Sequence, residues 1–340
     1  MIQKNQPLKH FNTFGLDATA AYYAPVTSHS ELLEALAFAQ AQNLPIQVLG
    51  GGSNVLFQSA FLNVVLIHIL FKKIEITAQT HQKVWLNVGA GENWHEFVCH
   101  CIAQNWANTE NLALIPGTVG AAPIQNIGAY GMELKDICHQ VTGYNLDTKR
   151  LETIAAAACA FGYRSSIFKT DLKNKFIITQ VGFELQKPPH QPQTQYAGIA
   201  EYLHAQGIAQ PSIAQVAAAV VAVRQAKLPD PAVVGNAGSF FKNPVVAHAV
   251  FDALKVSYPS ISGYKNGEND MKLSAAWLID QCGYKGKRSG ETGTYRNQAL
   301  VLVNYGQATG AQIWDFAQEI RAAVTQKFGI DLEPEVNLVR

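Results

Sequence analysis

Two glycine-rich segments in the first half of the chain have the composition of a ligand-binding surface. Residues 50–54 read Gly-Gly-Gly-Ser-Asn after a predicted strand, and residues 116–131 read PGTVGAAPIQNIGAYG. Residues without side chains let backbone N–H groups approach phosphates closely, and small residues can lie against a flat aromatic group. Neither segment has the G-x-G-x-x-G fingerprint or a P-loop, which argues against Rossmann and kinase-type sites. Tight structural turns are the alternative interpretation.

A third glycine-rich segment, residues 235–244, places Ser239 among small residues that would expose its hydroxyl to a ligand. No glycine follows the serine at the spacing of a nucleophile elbow, so a hydrolase triad is not indicated. Ser239 remains a candidate proton donor, and a structural serine in a glycine turn is the alternative.

Two charged residues are candidates for chemistry at a carboxylate. Arg164 stands in the aromatic and apolar segment FGYRSSIF, where a guanidinium suits a bidentate grip on a carboxylate. A surface arginine with its stem over apolar groups is the alternative. Glu335 lies in LEPEV within a predicted strand, and such an acid alone is usually solvent-exposed.

Composition narrows the possible classes of protein. The chain has 340 residues, of which 48% are hydrophobic, so two or three domains with a sizeable core are expected. With 26 basic and 25 acidic residues the net charge is +1, which argues against nucleic-acid or anionic-membrane binding through bulk charge.

The longest apolar stretch, residues 62–71, is about half of a membrane span. The N-terminal residues have no signal core, so a cytoplasmic protein is expected.

Cysteine usage indicates neither a disulfide framework nor a metal centre. The chain has five cysteines, an odd number for a disulfide scaffold. Cys99 and Cys101 lie near His95 and His100, but no second pair stands at ligand spacing and the segment is predicted to be helical. No metal site is therefore expected.

Apolar spacing predicts an α+β protein. The strands do not alternate with helices regularly enough for a doubly wound sheet. A polar, proline-rich linker is predicted at 187–195. Helices are predicted at about 30–42, 94–102, 198–206, 213–226, 247–256, 273–282 and 310–328, and strands at 46–49, 83–88, 139–146, 176–185, 299–304 and 332–339.

Seven motifs occur in the order LGGGSN, IPGTVGAAPIQNIGAYG, FGYRSSIFK, KLPDP, GNAGSFFKNP, KLSAAWLIDQCG and LEPEV. In this the sequence resembles the UDP-N-acetylenolpyruvoylglucosamine reductase family, from about Phe11 to Val336. The resemblance implies an FAD-binding fold of the p-cresol-methylhydroxylase/vanillyl-oxidase type in two subdomains, with a boundary near residue 70. It further implies an FAD-binding region at 1–186, a linker with a tyrosine loop and connecting helices at 187–227, and a C-terminal α+β substrate domain at 228–340.

The resemblance also implies roles for individual residues. Arg164 and Glu335 would polarise the substrate carboxylate, and Ser239 would give the proton. Two departures flank the arginine: Ser165 stands where an acid is frequent, and alanines fill 155–158. Substrate contacts would be Tyr196, Lys227, Asn243, Tyr264 (with Tyr258 as a rival) and Gln298. Contacts to non-covalent FAD would be Gly50, Gly51, Gly52, Ser53, Asn54, Ile115, Pro116, Gly117, Thr118, Val119, Gly120, Ala121, Ala122, Asn126, Gly128 and Tyr130.

The implied reaction reduces the enolpyruvyl group of UDP-N-acetylglucosamine enolpyruvate to UDP-N-acetylmuramate, with NADPH as co-substrate. Negative charge developing next to a carboxylate requires preorganised positive charge or hydrogen-bond donors. Arg164 can supply it, whereas Glu335 helps only if it is protonated or orients another donor. We expect a monomer without nucleic-acid or membrane partners. The alternatives are another FAD oxidoreductase of the same fold acting on a sugar or alcohol, and a non-catalytic sugar-nucleotide binder.

Overall fold

The computed structural model describes residues 1–340, which divide into two compact units. The first unit comprises Met1–Gln6, Ala20–Gly51 and Asn63–Ala226. The second unit comprises Pro7–Thr19, Gly52–Leu62 and Lys227–Arg340. Two short N-terminal segments therefore belong to the same unit as the C-terminal third of the chain.

Seven α-helices and twenty strands make up the two units. The helices are α1 His29–Ala41, α2 Trp94–Ala103, α3 Ala197–Ala205, α4 Ile213–Lys227, α5 His248–Ser257, α6 Ala275–Gln281 and α7 Gly310–Phe328. The strands are β1 Gln3–Pro7, β2 Thr19–Val26, β3 Ile46–Leu49, β4 Val55–Phe57, β5 Phe61–Ile69, β6 Ile74–Gln79, β7 Lys83–Gly89, β8 Gly128–Ala129, β9 Met132–Glu133, β10 Cys138–Asn145, β11 Arg150–Ala155, β12 Phe176–Gln186, β13 Gly235–Ser239, β14 Val245–Ala247, β15 Gly263–Asn266, β16 Asp270–Leu273, β17 Arg288–Ser289, β18 Thr292–Tyr295, β19 Gln298–Asn304 and β20 Asn337–Val339.

Two large sheets and the two-stranded pair β8-β9 build the first unit. One has the order β1-β2-β5-β3, in which β3 and β5 run parallel with Val48 opposite Ile67. The other has the order β11-β10-β12-β7-β6 and is antiparallel, with Val181 opposite Val88. Alternating apolar residues of both sheets pack with α1, α2, α3 and α4 in one core. Ser28 and Asn93 cap α1 and α2 by accepting from the N–H groups of Glu31 and Glu96.

The second unit contains a four-stranded sheet in the order β13-β19-β18-β17, a three-stranded sheet β14-β16-β15 and the pair β20-β4. The pair β20-β4 is parallel, with Leu338 opposite Leu56. Helix α7 begins with a capping box of Thr309 and Gln312 and ends at Gly329, which has a φ of 68°. At its first residue, a Cβ on Gly310 would lie 1.7 Å from the carbonyl oxygen of Phe57, so only glycine fits this close approach.

The predicted helices are confirmed, with ends within two residues of those expected, and so are the internal strands. The final strand is the exception. It was predicted over 332–339 but spans only Asn337–Val339, because Pro334 has no N–H to donate to a ladder. Pro334 forms an isolated bridge with Phe241, and Glu335 lies in the irregular segment before β20. No helix combines the length and apolar character that crossing a membrane requires.

Candidate active site

In the first unit, the first two glycines of the segment 50–54 lie directly against the second glycine-rich segment. A Cβ on Gly50 would lie 2.6 Å from Oγ1 of Thr118, and a Cβ on Gly51 would lie 3.0 Å from Cα of Gly117. A methyl group on Gly50 would displace the Thr118 hydroxyl, and one on Gly51 would push the backbone at Gly117 by a few tenths of an ångström, so glycine suits both positions. The N–H groups of Gly51, Gly117 and Thr118 donate to no other backbone group. They are therefore available to a ligand with phosphate or carbonyl oxygens.

Helix α2 holds the start of the second glycine-rich segment. The N–H of Leu114, a residue with a φ of 58°, donates to Nδ1 of His95 at 3.0 Å, and the N–H of Trp94 donates to the carbonyl of Gly117 at 3.1 Å. Burial lowers the pKa of His95, and the positive charge of Arg224 lowers it further. Nδ1 of His95 accepts the N–H of Leu114 and therefore carries no proton itself. The His95 ring also lies 3.8 Å from Sγ of Cys99, but no group of three His, Cys, Asp or Glu residues in the chain could hold a metal ion.

The remaining residues of the segment 50–54 belong to the second unit. Gly52 has a φ of 61°, and a Cβ there would lie 2.0 Å from the carbonyl oxygen of Phe11. Its own carbonyl accepts from the N–H of Thr13 at 3.1 Å. The side-chain amide of Asn54 donates to the carbonyl oxygen of Glu335 at 3.2 Å. The predicted FAD-contact segment therefore has its first two residues in the first unit and its last three in the second.

Arg164 sits at the tip of a tight hairpin in the first unit. The N–H and C=O groups of Gly162 and Ser165 bond to each other, at 3.0 and 3.2 Å, and Arg164 between them has a φ of 51°. A positive φ is strained for a long side chain, and such strain concentrates at functional sites. The guanidinium donates through Nη2 to the carbonyl of Gly128 at 3.0 Å and lies 5.5 Å from the ring centre of Tyr163.

Asn126 joins that hairpin to the second glycine-rich segment. It is fully buried, and its Nδ2 donates to Oε2 of Glu133 at 2.9 Å and to the carbonyl of Gly162 at 3.1 Å. Its Oδ1 accepts from the N–H of Lys135 at 2.9 Å. Both amide hydrogens are thus used within the protein, and Asn126 fixes the geometry of the loop that precedes Gly128.

The predicted tyrosine loop is anchored in the same region of the first unit. The ring of Tyr196 meets the ring of Tyr130 edge-on at 5.1 Å between centres. Asn111, almost wholly buried, donates at 3.0 Å to the carbonyl oxygens of both Tyr130 and Gln193. Two predicted residues, Tyr130 and Tyr196, are therefore brought together by a third that sequence reasoning missed.

Arg224 is a second missed residue. It lies on α4, and its Nε is buried without a hydrogen-bond partner. The sequence contains one indication of its burial. Arg224 follows the buried Ala217 and Val220 by seven and four positions, which places it on the same face of the helix. An arginine on an apolar stripe of this kind is unusual and indicates a specific role.

In the second unit, Ser239 and Glu335 are brought to neighbouring backbone segments. Ser239 ends β13, pairs with Val301 and follows Gly238, whose φ is 69°. The N–H of Glu335 donates to the carbonyl of Phe240 at 2.8 Å, directly after Ser239. Glu335 is only 9% exposed, which is unusual for a glutamate and contrasts with the exposed acid that its sequence context suggests.

The predicted substrate contacts of the second unit differ in exposure. Lys227 is exposed at the end of α4. Oδ1 of Asn243 accepts from the N–H of Ala275 at 3.0 Å, and Gln298 begins β19. Tyr264 is 65% exposed on β15, whereas its rival Tyr258 packs against Trp277 and Phe328. Of the two tyrosines, Tyr264 is the one whose ring is accessible to a ligand.

Two family models match separate regions of the chain. Residues 20–152 match the FAD-binding domain family, and residues 230–339 match the family described as UDP-N-acetylenolpyruvoylglucosamine reductase, C-terminal domain. The reductase of Flavobacterium johnsoniae is 44% identical, with 99% of each chain covered, and that of Amoebophilus asiaticus is 45% identical, with 100% of this chain and 99% of the other covered. The crystal structure of the reductase from Thermus caldophilus is 23% identical in sequence and has a TM-score of 0.70. The alignment covers 100% of this chain and 100% of the other.

The fold and the two family matches define the protein as an FAD-dependent oxidoreductase. Its architecture is α+β, with an FAD-binding domain and a C-terminal domain. The chain belongs to the UDP-N-acetylenolpyruvoylglucosamine reductase family, whose members act on a peptidoglycan precursor.

Proposed function

We propose that this protein uses NADPH to reduce the enolpyruvyl group of UDP-N-acetylglucosamine enolpyruvate, giving UDP-N-acetylmuramate for cell-wall synthesis. The observation that carries the proposal is the placement of the buried Glu335 beside the segment of Ser239 in the second unit. A proton donor and a carboxyl group at neighbouring positions suit the reduction of a double bond conjugated to a carboxylate.

The residues of the first unit fit FAD. Gly50 and Gly51 lie close to Gly117 and Thr118 with no side chain between them, which would let backbone N–H groups face a ligand's phosphates. Residues 50–54 and 115–122, with Asn126, Gly128 and Tyr130, would hold the cofactor. When bound, FAD supplies the hydride-transfer chemistry, and the protein supplies position and electrostatics.

Each proposed catalytic side chain has a distinct task. Arg164 is permanently protonated, and its fork of donors matches a carboxylate, so it would favour the negative charge that develops there. Ser239 would give a proton from Oγ to the carbon that carries this charge. Because two ionised carboxylates repel, Glu335 would act as a neutral acid or orient another donor.

The substrate would be held by the proposed contacts Tyr196, Lys227, Asn243, Tyr264 and Gln298. Lys227 is a cation suited to the diphosphate of either UDP-sugar or NADPH. No dinucleotide fingerprint marks a separate NADPH site, which supports successive binding of NADPH and sugar nucleotide at one site. We further propose a cytoplasmic location, a monomeric state and a part in cell shape and division.

An absorption spectrum tests the proposal. Purified protein is expected to be yellow, to bleach on anaerobic addition of NADPH, and to recover its colour when the enolpyruvyl sugar nucleotide follows. NADH in place of NADPH measures the preference between the two. Colourless protein would support a non-catalytic sugar-nucleotide binder. Flavin that remains attached after denaturation, with no recovery on adding the sugar nucleotide, would favour a sugar or alcohol oxidase.

A further inference from the structure

The segment that carries Glu335 forms only a short pairing with its neighbour in the second unit. The N–H of Glu335 donates to the carbonyl oxygen of Phe240 at 2.8 Å, and the N–H of Lys242 donates to the carbonyl oxygen of Glu333 at 2.9 Å. Pro334, between the two glutamates, forms an isolated bridge and has no N–H with which to extend the pairing. Other contacts are therefore needed to fix the position of the Glu335 carboxyl group.

An ion pair closes this pairing at the end away from Glu335. Nζ of Lys242 lies 2.5 Å from Oε1 of Glu333. The Lys242 side chain is only 16% exposed, whereas that of Glu333 is 69% exposed. A largely buried ammonium group is costly unless an anion compensates its charge, so Lys242 favours the position in which Glu333 lies beside it. An ion pair of two exposed side chains would impose little such preference.

The opposite end of the segment has a different anchor. The side-chain amide of Asn54 donates to the carbonyl oxygen of Glu335 at 3.2 Å. The carbonyl oxygen of Asn54 accepts from the N–H of Asn337, the first residue of β20, at 3.0 Å. Glu335 is thus held between the ion pair on one side and Asn54 on the other. Because Asn54 and β20 remain when the ion pair is removed, we expect its removal to shift Glu335 without unfolding the segment.

The neighbouring segment, which carries Ser239 and Lys242, has the firmer support. Ser239 pairs with β19, and the N–H of Phe240 donates to the carbonyl oxygen of Leu300 in the same strand at 2.8 Å. Strand β19 lies inside its four-stranded sheet, and all its residues except the first are buried. A change at the ion pair should therefore move the segment of Glu335 and leave Ser239 in place.

We propose that the ion pair of Lys242 and Glu333 positions the carboxyl group of Glu335 at the substrate. Both are positioning residues, because the pair acts through the backbone that joins Glu333 to Glu335. The inference rests on the proposed function, in which Glu335 and Ser239 act on the enolpyruvyl group. A displacement of about 1 Å can slow a reaction about 100-fold, so even a small shift of Glu335 has a measurable effect.

Anaerobic stopped-flow absorbance of the FAD-loaded protein tests the proposal, because it separates the two half-reactions. Lys242→Met removes the cation and leaves the exposed Glu333 to solvent. At saturating sugar nucleotide, reoxidation of FAD is expected to slow about 10- to 100-fold, while reduction by NADPH keeps nearly the wild-type rate. Lys242→Arg, which keeps the charge, should retain most of the reoxidation rate. Lys242→Glu combined with Glu333→Lys, which exchanges the charges, should recover part of the loss.

The ion pair of Arg321 and Asp331 in the same unit provides a matched control. Its atoms Nη2 and Oδ2 lie 2.8 Å apart, and the two side chains are 26% and 65% exposed. It ties the chain just before Glu333 to α7. Arg321→Met should lower the free energy of unfolding in urea about as much as Lys242→Met and leave both half-reactions unchanged. Glu333→Gln, at an exposed position, repeats the test if Lys242→Met does not fold.

The contrary outcomes are distinct. Equal slowing of reoxidation in Arg321→Met would leave the pair of Lys242 and Glu333 with a general stabilising role only. A raised dissociation constant for the sugar nucleotide in Lys242→Met, with an unchanged limiting rate, would make Lys242 a substrate contact. Either result overturns the proposal, and so does wild-type behaviour of Lys242→Met. Wild-type protein whose reduced FAD is not reoxidised by the sugar nucleotide refutes the proposed function instead.

Discussion

Asn111 donates a hydrogen bond of 3.0 Å to the carbonyl oxygen of Gln193, across 82 positions of the sequence. The same amide donates to the carbonyl oxygen of Tyr130, also at 3.0 Å. One buried side chain thus fixes both the end of the second glycine-rich segment and the loop that leads to Tyr196. The edge-on contact of the Tyr130 and Tyr196 rings is a consequence of this double anchor.

Replacing Asn111 by alanine should loosen the tyrosine loop. Two carbonyl oxygens lose a donor, and each unsatisfied buried group costs about 1–3 kcal/mol. We expect a lower free energy of unfolding and a KM for the sugar nucleotide raised by about tenfold, or about 1.4 kcal/mol, with a smaller change in kcat. Urea denaturation and steady-state kinetics measure the two effects. Asn63→Ala, at an exposed position of β5, is the control, and an unaltered KM in Asn111→Ala would show that the anchor does not position Tyr196.

Gly51→Ala should weaken FAD binding. Its Cβ would lie 3.0 Å from Cα of Gly117, so the backbone there has to move by a few tenths of an ångström. We expect the dissociation constant for FAD to rise at least tenfold, about 1.4 kcal/mol, in titrations of the apoprotein followed by flavin fluorescence. Gly207→Ala is the matched control, because its added methyl meets nothing within 4 Å although its φ is 70°. It should lower stability through backbone strain and leave FAD affinity intact.

Ser239→Ala should separate the two half-reactions. Reduction of FAD by NADPH needs no proton from Ser239 and is expected to continue at nearly the wild-type rate. Reduction of the sugar nucleotide should slow by about 100- to 1000-fold, the usual effect of removing one positioned donor. Anaerobic stopped-flow absorbance follows both steps, with Ser257→Ala as an exposed control. Equal slowing of both steps would contradict the role given to Ser239.

Glu110 should make stability depend on pH. Burial raises its pKa in the folded state, even though Oε2 accepts from the N–H of Asn108 at 2.7 Å. The folded state therefore binds the proton more tightly than the unfolded state, whose pKa is about 4.3. The stabilisation is complete below that value and is lost as the pH rises through the folded pKa. Relative to Glu110→Gln, the wild type should lose unfolding free energy between acidic and neutral pH in urea titrations. Glu34→Gln, exposed on α1, should show no such trend.

Elements with strong local signals could be predicted from the sequence. The helix at 310–328 follows from its apolar spacing, the capping box of Thr309 and Gln312 and the left-handed Gly329. The strand predicted at 332–339 is longer than the observed Asn337–Val339. Apolar alternation extends through this range, but Pro334 cannot donate to a strand ladder. The burial of Glu335 depends on packing within the second unit and has no local signal.

Only those residues of the candidate site that lie in recognisable motifs could be predicted from the sequence. The role of Asn111 could not be predicted because its two partners, Tyr130 and Gln193, are remote in sequence. The residues near Asn111 form no pattern that indicates these hydrogen bonds. Arg224 was not predicted because it lies outside the glycine-rich and charged motifs, in a helix rich in alanine and valine. The division of the segment 50–54 between two units follows from the backbone pairings of Gly52 and Asn54, which no spacing rule encodes.

The interleaving of the two units has a consequence for biosynthesis. Asn54 and Glu335, which bond in the second unit, are separated by 281 positions. At about 5–20 residues per second, a ribosome needs roughly a quarter of a minute to a minute to deliver the later partner. Throughout that time β4 has no β20 to pair with, so this short apolar strand reaches its native partner only when synthesis is nearly complete.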